Sequence, residues 1–432
     1  MKARLIFANL IVILYCCTVS AASLTPTESH IRDNVVRNKN AQLVLLEKLV
    51  NINSGTSNMT GVTRVGKVVE QSFKRLGFKT NWVAEPRAMK RAATLVAVHK
   101  GNSTKRILMI GHLDTVFQRD SDFQRFELKK NTAKGPGVLD DKGGIVVILY
   151  ALEALKAAHV LSNANITVVL TGDEEASGKP ASISRKPLIE AAKQSDIALD
   201  FEPSLTQDTA SVGRRGISNW QIVTHGHEAH SSVIHSQEVG AGAIYELARI
   251  LNQFYSDFKD EKNLSVSPGR IVAGNRVTDD KSQFNGSAAG KENVVAKIAI
   301  ARGDVRYISS VQKDQFKHAA GNIVAQHLPG TSAEITFEDG IPAMPPTANN
   351  RQLLSQYHEV SMDLGYGKVS ELDAGLRGAG DISYVAEIVP ANLVGLGPEG
   401  YGMHAKGETV ELASLVRQTQ RVAVLLYRLM QK

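Results

Sequence analysis

Apolar positions along the chain recur with two different periods, and the switches between them mark out its parts. Over 40–50 and again over 62–76 they return every three or four residues, which predicts amphipathic helices, the second closed by Gly77. Residues 94–98 and 107–110 are short, β-prone apolar runs, 143–158 goes back to the helical period, and 166–170 and 197–201 read as further strands. Strands of unbroken apolar character separated by helices predict an α/β fold, a mostly parallel sheet with helices on both faces.

The middle of the chain follows another pattern. A strand over 220–223, a long helix over 239–258, an alternating strand over 294–301, a helix over 310–327 and a strand over 333–337 suggest β-α-β-β-α-β, a ferredoxin-like α+β unit. The polar, Gly-rich stretch 274–291 is predicted to be a loop between its strands. Helices over 351–364 and 411–430 around a strand at 392–396 then restore the first pattern. The expected organisation is an α/β domain built from 23–212 and 342–432, with 213–341 inserted between its halves.

Composition changes this picture at one end only. With 432 residues, 43% hydrophobic and 22% charged, the chain is globular and long enough for two domains. At its start Lys2 and Arg4 precede an apolar run over 5–17, and the small residues Ser20, Ala21 and Ala22 follow. That is the pattern of a cleaved signal peptide over 1–22, so the protein is expected to be exported, to the periplasm or the medium, and free of the membrane after cleavage. Both cysteines, Cys16 and Cys17, fall inside that segment, and the remainder needs no disulfide. The formal charge of +7 is spread along the chain without a Lys/Arg block, so no nucleic-acid partner is expected.

The candidate chemistry sits where the strands end, the edge at which open α/β sheets gather their ligands. Run 107–110 leads into Gly111-His112-Leu113-Asp114, run 166–170 into Asp173-Glu174-Glu175, and run 197–201 into Glu202; Asp140-Asp141 opens a helix between them. Taken singly, each has a plain reading: a satisfied polar histidine, a solvated turn, a helix cap. Together they crowd carboxylates that would repel one another, and a divalent cation resolves that conflict. Imidazole with carboxylate suits zinc, and a carboxylate-rich mixture suits two ions sharing a bridge, an arrangement used for metal-assisted hydrolysis.

Five ordered segments carry a resemblance: Gly-His-Leu-Asp-Thr-Val (111–116), Gly-Pro-Gly-Val-Leu-Asp-Asp-Lys-Gly-Gly (135–144), Thr-Gly-Asp-Glu-Glu (171–175), Phe-Glu-Pro (201–203) and Gly-Met-His-Ala (402–405). The chain resembles the co-catalytic di-zinc metallopeptidases that include aminoacylases, desuccinylases and bacterial glutamate carboxypeptidases, with the last branch the nearest. The resemblance implies two Zn2+ per subunit, or other divalent ions, with Asp140 bridging, His112 and Glu202 completing one site, and Glu175 and His404 the other. It implies Glu174 as general base and Asp114 as the partner of the His112 ring.

Within the insert, Gly226-His-Glu-Ala-His230-Ser231 is similar to a motif of the family's lid, which implies that His230 reaches a neighbouring active site across a homodimer and steadies an oxyanion. The resemblance also implies Arg306 as a clamp for a substrate carboxylate, Asn293 as a further contact, and Gly378 and Gly380 as a turn whose N–H groups meet a carboxylate. Arg377 adds a positive charge expected near that pocket. The implied reaction is hydrolysis of the C-terminal amide of a small peptide or N-acyl amino acid, with release of glutamate as one form of it. A dipeptidase or aminoacylase is the neighbouring alternative. A non-catalytic zinc- or peptide-binding protein is the alternative of another class, and it would be expected to have lost the base or a ligand, all of which are present.

Overall fold

The computed structural model describes residues 24–431, so the expected signal segment 1–22 lies outside the described residues. The main sheet has six strands, in the spatial order Lys79–Val83, Thr94–His99, Asn165–Thr171, Arg106–His112, Ile197–Asp200 and Ala391–Val394. Thr94–His99 runs antiparallel to both its neighbours, and the other contacts are parallel. The unbroken apolar runs have a direct cause: Ile107 and Met109 enter one core with Leu46, Val65, Ile148 and Leu425, while Leu108 and Ile110 enter the opposite one with Leu188, Ala192 and Ile382. Register brings the strand ends together, since His112 pairs with Thr171, Ile110 with Asp200, and Asp200 with Val394.

The helix Lys142–Ala157 packs on Leu412–Met430, Pro26–Arg37 and Lys39–Val50. The periodicity reading passed over Pro26–Arg37, whose start is nonetheless written in the sequence. Thr25 accepts the Glu28 N–H, Glu28 accepts the Thr25 N–H, and Pro26 opens the first turn.

Between the halves of the main sheet the chain builds a four-stranded antiparallel sheet in the order Ser265–Gly274, Ile298–Tyr307, Gly216–His225 and Ser332–Asp339. With the helices Ala243–Phe258 and Ser310–Val324 it makes the β-α-β-β-α-β order, around a core of its own that contains Trp220, Ile222, Ile250, Phe254 and Phe316. Several boundaries differ from expectation, the first strand running Gly216–His225 and the second helix ending at Val324. The long helix begins at Ala243 rather than near 239, because Gly240 and Gly242 take positive φ (71° and 77°), and the strand expected over 294–301 occupies Ile298–Tyr307.

Segment 274–291 is not a loop. Arg276–Asp280 and Asn285–Ala289 pair as a β-hairpin, tied down where Asp279 accepts from Arg270 and, at 2.7 Å, from Arg302 Nε. Its second arm is exposed at every position, so it shows no apolar alternation to read. A small sheet of Glu127–Lys129, Thr132–Lys134, Thr409–Glu411 and Gly400–Tyr401 completes the architecture. No helix among the described residues is long and apolar enough to cross a membrane.

Candidate active site

Beyond the carboxyl edge of the main sheet, five side chains from separate segments converge. His112 ends its strand, Asp140 lies in the turn before Lys142–Ala157, Glu175 and Glu202 follow the next two strands, and His404 sits in the turn between Gly400–Tyr401 and Thr409–Glu411. His112 Nε2 is 3.0 Å from Asp140 Oδ1 and 3.9 Å from Glu202 Oε1. His404 Nε2 is 3.1 Å from Asp140 Oδ2 and 3.2 Å from Glu175 Oε2. Two triads result, His112–Asp140–Glu202 and Asp140–Glu175–His404; within each, ligand atoms lie no more than 4.8 Å apart, and Asp140 gives one oxygen to each.

The electrostatics of the cluster call for positive charge. Burial opposes a charge on His112, yet hydrogen bonds to Asp114 and Asp140 hold its pKa well above the usual imidazole value. Asp140 and then Glu175 raise His404 to about 11. Burial raises Glu175, and its buried Oε1 has no hydrogen-bond partner among the described residues. Asp200, just behind, is pushed up to about 7 by burial and by the charge on Glu202. Divalent cations fit this donor set of two imidazoles and three carboxylates, one of which, Glu175, keeps a buried oxygen without a partner.

Glu174 is half-buried beside these triads, and burial followed by the charge on Glu202 raises its pKa well above the ordinary glutamate range. A base for use near neutral pH needs such a shift. Asp114 does more than the sequence suggested. Besides lying 3.3 Å from His112 Nδ1, its fully buried carboxylate accepts the N–H groups of Glu174 and Glu175 at 3.0 and 3.2 Å and the Thr56 hydroxyl at 2.6 Å. One side chain therefore orients His112 and the loop that carries Glu174 and Glu175.

Asp141 does not cap the following helix with its side chain. Its carboxylate turns back to accept the His112 N–H at 3.2 Å, and a Cβ on Gly111 or Gly144 would collide with it, which accounts for both glycines. Arg377 is buried, donating to Pro203 O and to Glu202 Oε2 (3.1 Å), so the positive charge expected near the pocket lies against Glu202. In the Gly-rich turn the carbonyls of Gly378 and Ala379 accept from the buried Arg214, and that guanidinium leaves no room for a Cβ on Gly380.

The insert carries the remaining candidates. His230 Nε2 lies 3.4 Å from the Asn293 amide nitrogen, and Nδ1 lies 2.8 Å from the Ser232 hydroxyl and 3.2 Å from the Ser232 backbone nitrogen. Arg306 donates to Asp304 at 3.0 Å. Among the described residues, no hydrogen bond or ion pair joins His230, Asn293 or Arg306 to the two triads. Residues the sequence reading missed are supporting charges. Arg185, wholly buried, donates to Asp381 and Asp173 at 2.6 Å each and to the Asp173 carbonyl, bracing the loop that carries Glu174 and Glu175. Nothing in its local sequence marks that role.

Paired imidazole–carboxylate triads at the edge of a mostly parallel sheet, with a half-buried glutamate beside them, define a metal-dependent hydrolase. Residues 108–428 match peptidase family M20/M25/M40, and the chain belongs to that family. Carboxypeptidase G2 of Pseudomonas sp. (strain RS-16) is 28% identical over 408 residues, covering 91% of this chain and 92% of that protein. A succinyl-diaminopimelate desuccinylase of Gluconacetobacter diazotrophicus is 24% identical over 376 residues, covering 84% and 91%. The fold superimposes on aminopeptidase PepT from Bacillus cereus with a TM-score of 0.72 at 16% identity, covering 91% of this chain and 99% of that one.

Proposed function

We propose that this hydrolase is an exported di-zinc enzyme that cleaves the C-terminal amide bond of a small peptide or N-acyl amino acid, with an amino acid such as glutamate as the released product. The observation that carries this reading is the sharing of Asp140 between two triads with Glu174 alongside. His112, Asp140 and Glu202 would hold one ion, and Asp140, Glu175 and His404 the other. Bound ions supply Lewis-acid polarisation of the scissile carbonyl and the positive charge that eases deprotonation of water. Glu174 takes the proton from the attacking water and hands it to the leaving amine. The similarity to carboxypeptidase G2 supports a free carboxylate on the substrate, for which Arg306 is the candidate partner. Export rests on the pattern over 1–22.

We further propose that the insert is a lid and dimerisation domain. His230, exposed on the insert beside Asn293, is the candidate donor to an oxyanion in the partner's site. The decisive assay is amino-acid release from a panel of N-acyl-glutamates, other N-acyl amino acids and dipeptides. Activity is expected to vanish with a chelator and return with zinc, and Glu174→Gln is expected to lower kcat by about 10²–10⁴-fold. A zinc-loaded wild type inert across the panel would overturn the carboxypeptidase reading and favour a binding role.

A further inference from the structure

The turn that presents Asp140 is held by two buried side chains, Glu408 and Lys142. Gly135, Gly137, Leu139 and Asp140 all direct their N–H groups at one residue, Glu408. Gly135 donates to its carbonyl at 3.1 Å, Gly137 to Oε2 at 3.1 Å, and Leu139 and Asp140 to Oε1 at 2.8 and 2.9 Å. Opposite, the buried Lys142 ammonium donates to the carbonyls of Pro136 and Ile52, both at 3.1 Å. Glu408 is 1% exposed and lies four residues beyond His404, in the same turn between Gly400–Tyr401 and Thr409–Glu411. That turn therefore reaches Asp140 twice: His404 meets its side chain, and Glu408 meets its backbone.

We infer that Glu408 is a positioning residue that fixes the Asp140 backbone so that its two carboxylate oxygens can serve both triads at once. The inference rests on the reading of Asp140 as the bridge between two ions. The physical argument concerns geometry. A carboxylate that accepts several backbone N–H groups determines where those groups lie, and the Asp140 N–H is one of them. If Glu408 only secured its own turn, its loss would disturb His404 and the Asp140–Glu175–His404 triad alone. Because it acts on the shared residue, both triads should suffer together.

The test is a zinc titration of metal-free protein in competition with a chromophoric chelator, run beside thermal unfolding of the metal-free form. Wild type is expected to take up two ions. Glu408→Gln, which turns an amide N–H₂ toward the Gly137 N–H, is expected to weaken both by about 10–100-fold, the usual effect of altering a group behind the ligands. Lys406→Ala, an exposed change in the same turn, is expected to leave both affinities unaltered. Glu408→Gln that binds both ions as wild type does, or loses only one of them, overturns the inference while sparing the two-ion reading. A wild type that takes up no divalent ion overturns both. Should Glu408→Gln not fold, Glu408→Asp, which keeps the charge and shortens the reach, carries the same expectation; failure of both to fold without metal would make Glu408 a general stability residue and end the inference.

Discussion

A carboxylate has two oxygens, and at the edge of this sheet each is used separately. Asp140 divides them between the two triads, and Asp114 divides them between the N–H groups of Glu174 and Glu175. Glu202 points Oε1 toward His112 and gives Oε2 to Arg377. Removing Arg377 would leave that oxygen and the Pro203 carbonyl buried without a donor, free to swing Glu202 out of its triad. Arg377→Met is therefore expected to lower kcat/KM by about 10–100-fold, with zinc content falling in parallel. Full activity with normal zinc content would show that Glu202 is held by its loop alone. The converging acids and histidines were legible because each follows a recognisable strand or opens a helix. Of their supports, Asp114 and Arg377 stand within recognisable motifs, whereas Arg185 and Glu408 meet the loops they brace only through tertiary folding, and a lone charge in a loop has no local pattern that distinguishes it from a solvated one.

At the scale of elements, legibility followed burial. Ile107–Ile110 and its parallel neighbours are apolar on both faces and can be read directly, whereas the hairpin of Arg276–Asp280 and Asn285–Ala289 has no apolar face and reads as a loop. Its evidence is ionic and distant, in Asp279 with Arg270 and Arg302. The edge strand Lys79–Val83, passed over in the same way, is tied to the helix Met59–Arg75 by a similar device. Glu70 accepts from Lys67 and Lys74 at 2.9 Å on its own helix and from Thr80 on the strand at 3.0 Å. Burial would raise the Glu70 pKa, but these donors prevail and bring it down to about 2. A carboxyl depressed in the folded state stabilises above its unfolded pKa and loses that contribution as the pH falls through the folded value. Glu70→Gln is thus expected to lower Tm by a few degrees near pH 7, with the gap to wild type narrowing between pH 4.5 and 2 and closed below it. A gap that stays constant over that range would mean that packing, not charge, joins helix to strand.

For the whole molecule, the question is what the insert does for a site that Arg214, at its base, reaches through Glu202 at 3.9 Å, but to which His230, Asn293 and Arg306 are not bonded among the described residues. It joins the body where Arg214 and Met344 exchange both backbone hydrogen bonds at 2.9 Å, and through side-chain ties such as Ser310 to Glu387. His230 and Asn293 pair with each other at an exposed position on that insert, and no hydrogen bond carries them to the triads of their own chain among the described residues. If His230 serves the neighbouring subunit, a variant lacking the base and a variant lacking His230 repair each other. In a dimer of one Glu174→Gln and one His230→Ala subunit, the site that keeps Glu174 receives the intact His230 of the first subunit, and the other site loses both groups. Equal amounts mixed under exchanging conditions give half mixed dimers, each with one complete site, so activity should rise to about a quarter of wild type although either variant alone is nearly inert. Were His230 to act within its own chain, no mixed dimer would hold a complete site and mixing would restore nothing. Recovery on mixing would thus place the histidine in trans; its failure, with mixed dimers demonstrably formed, would return it to its own subunit.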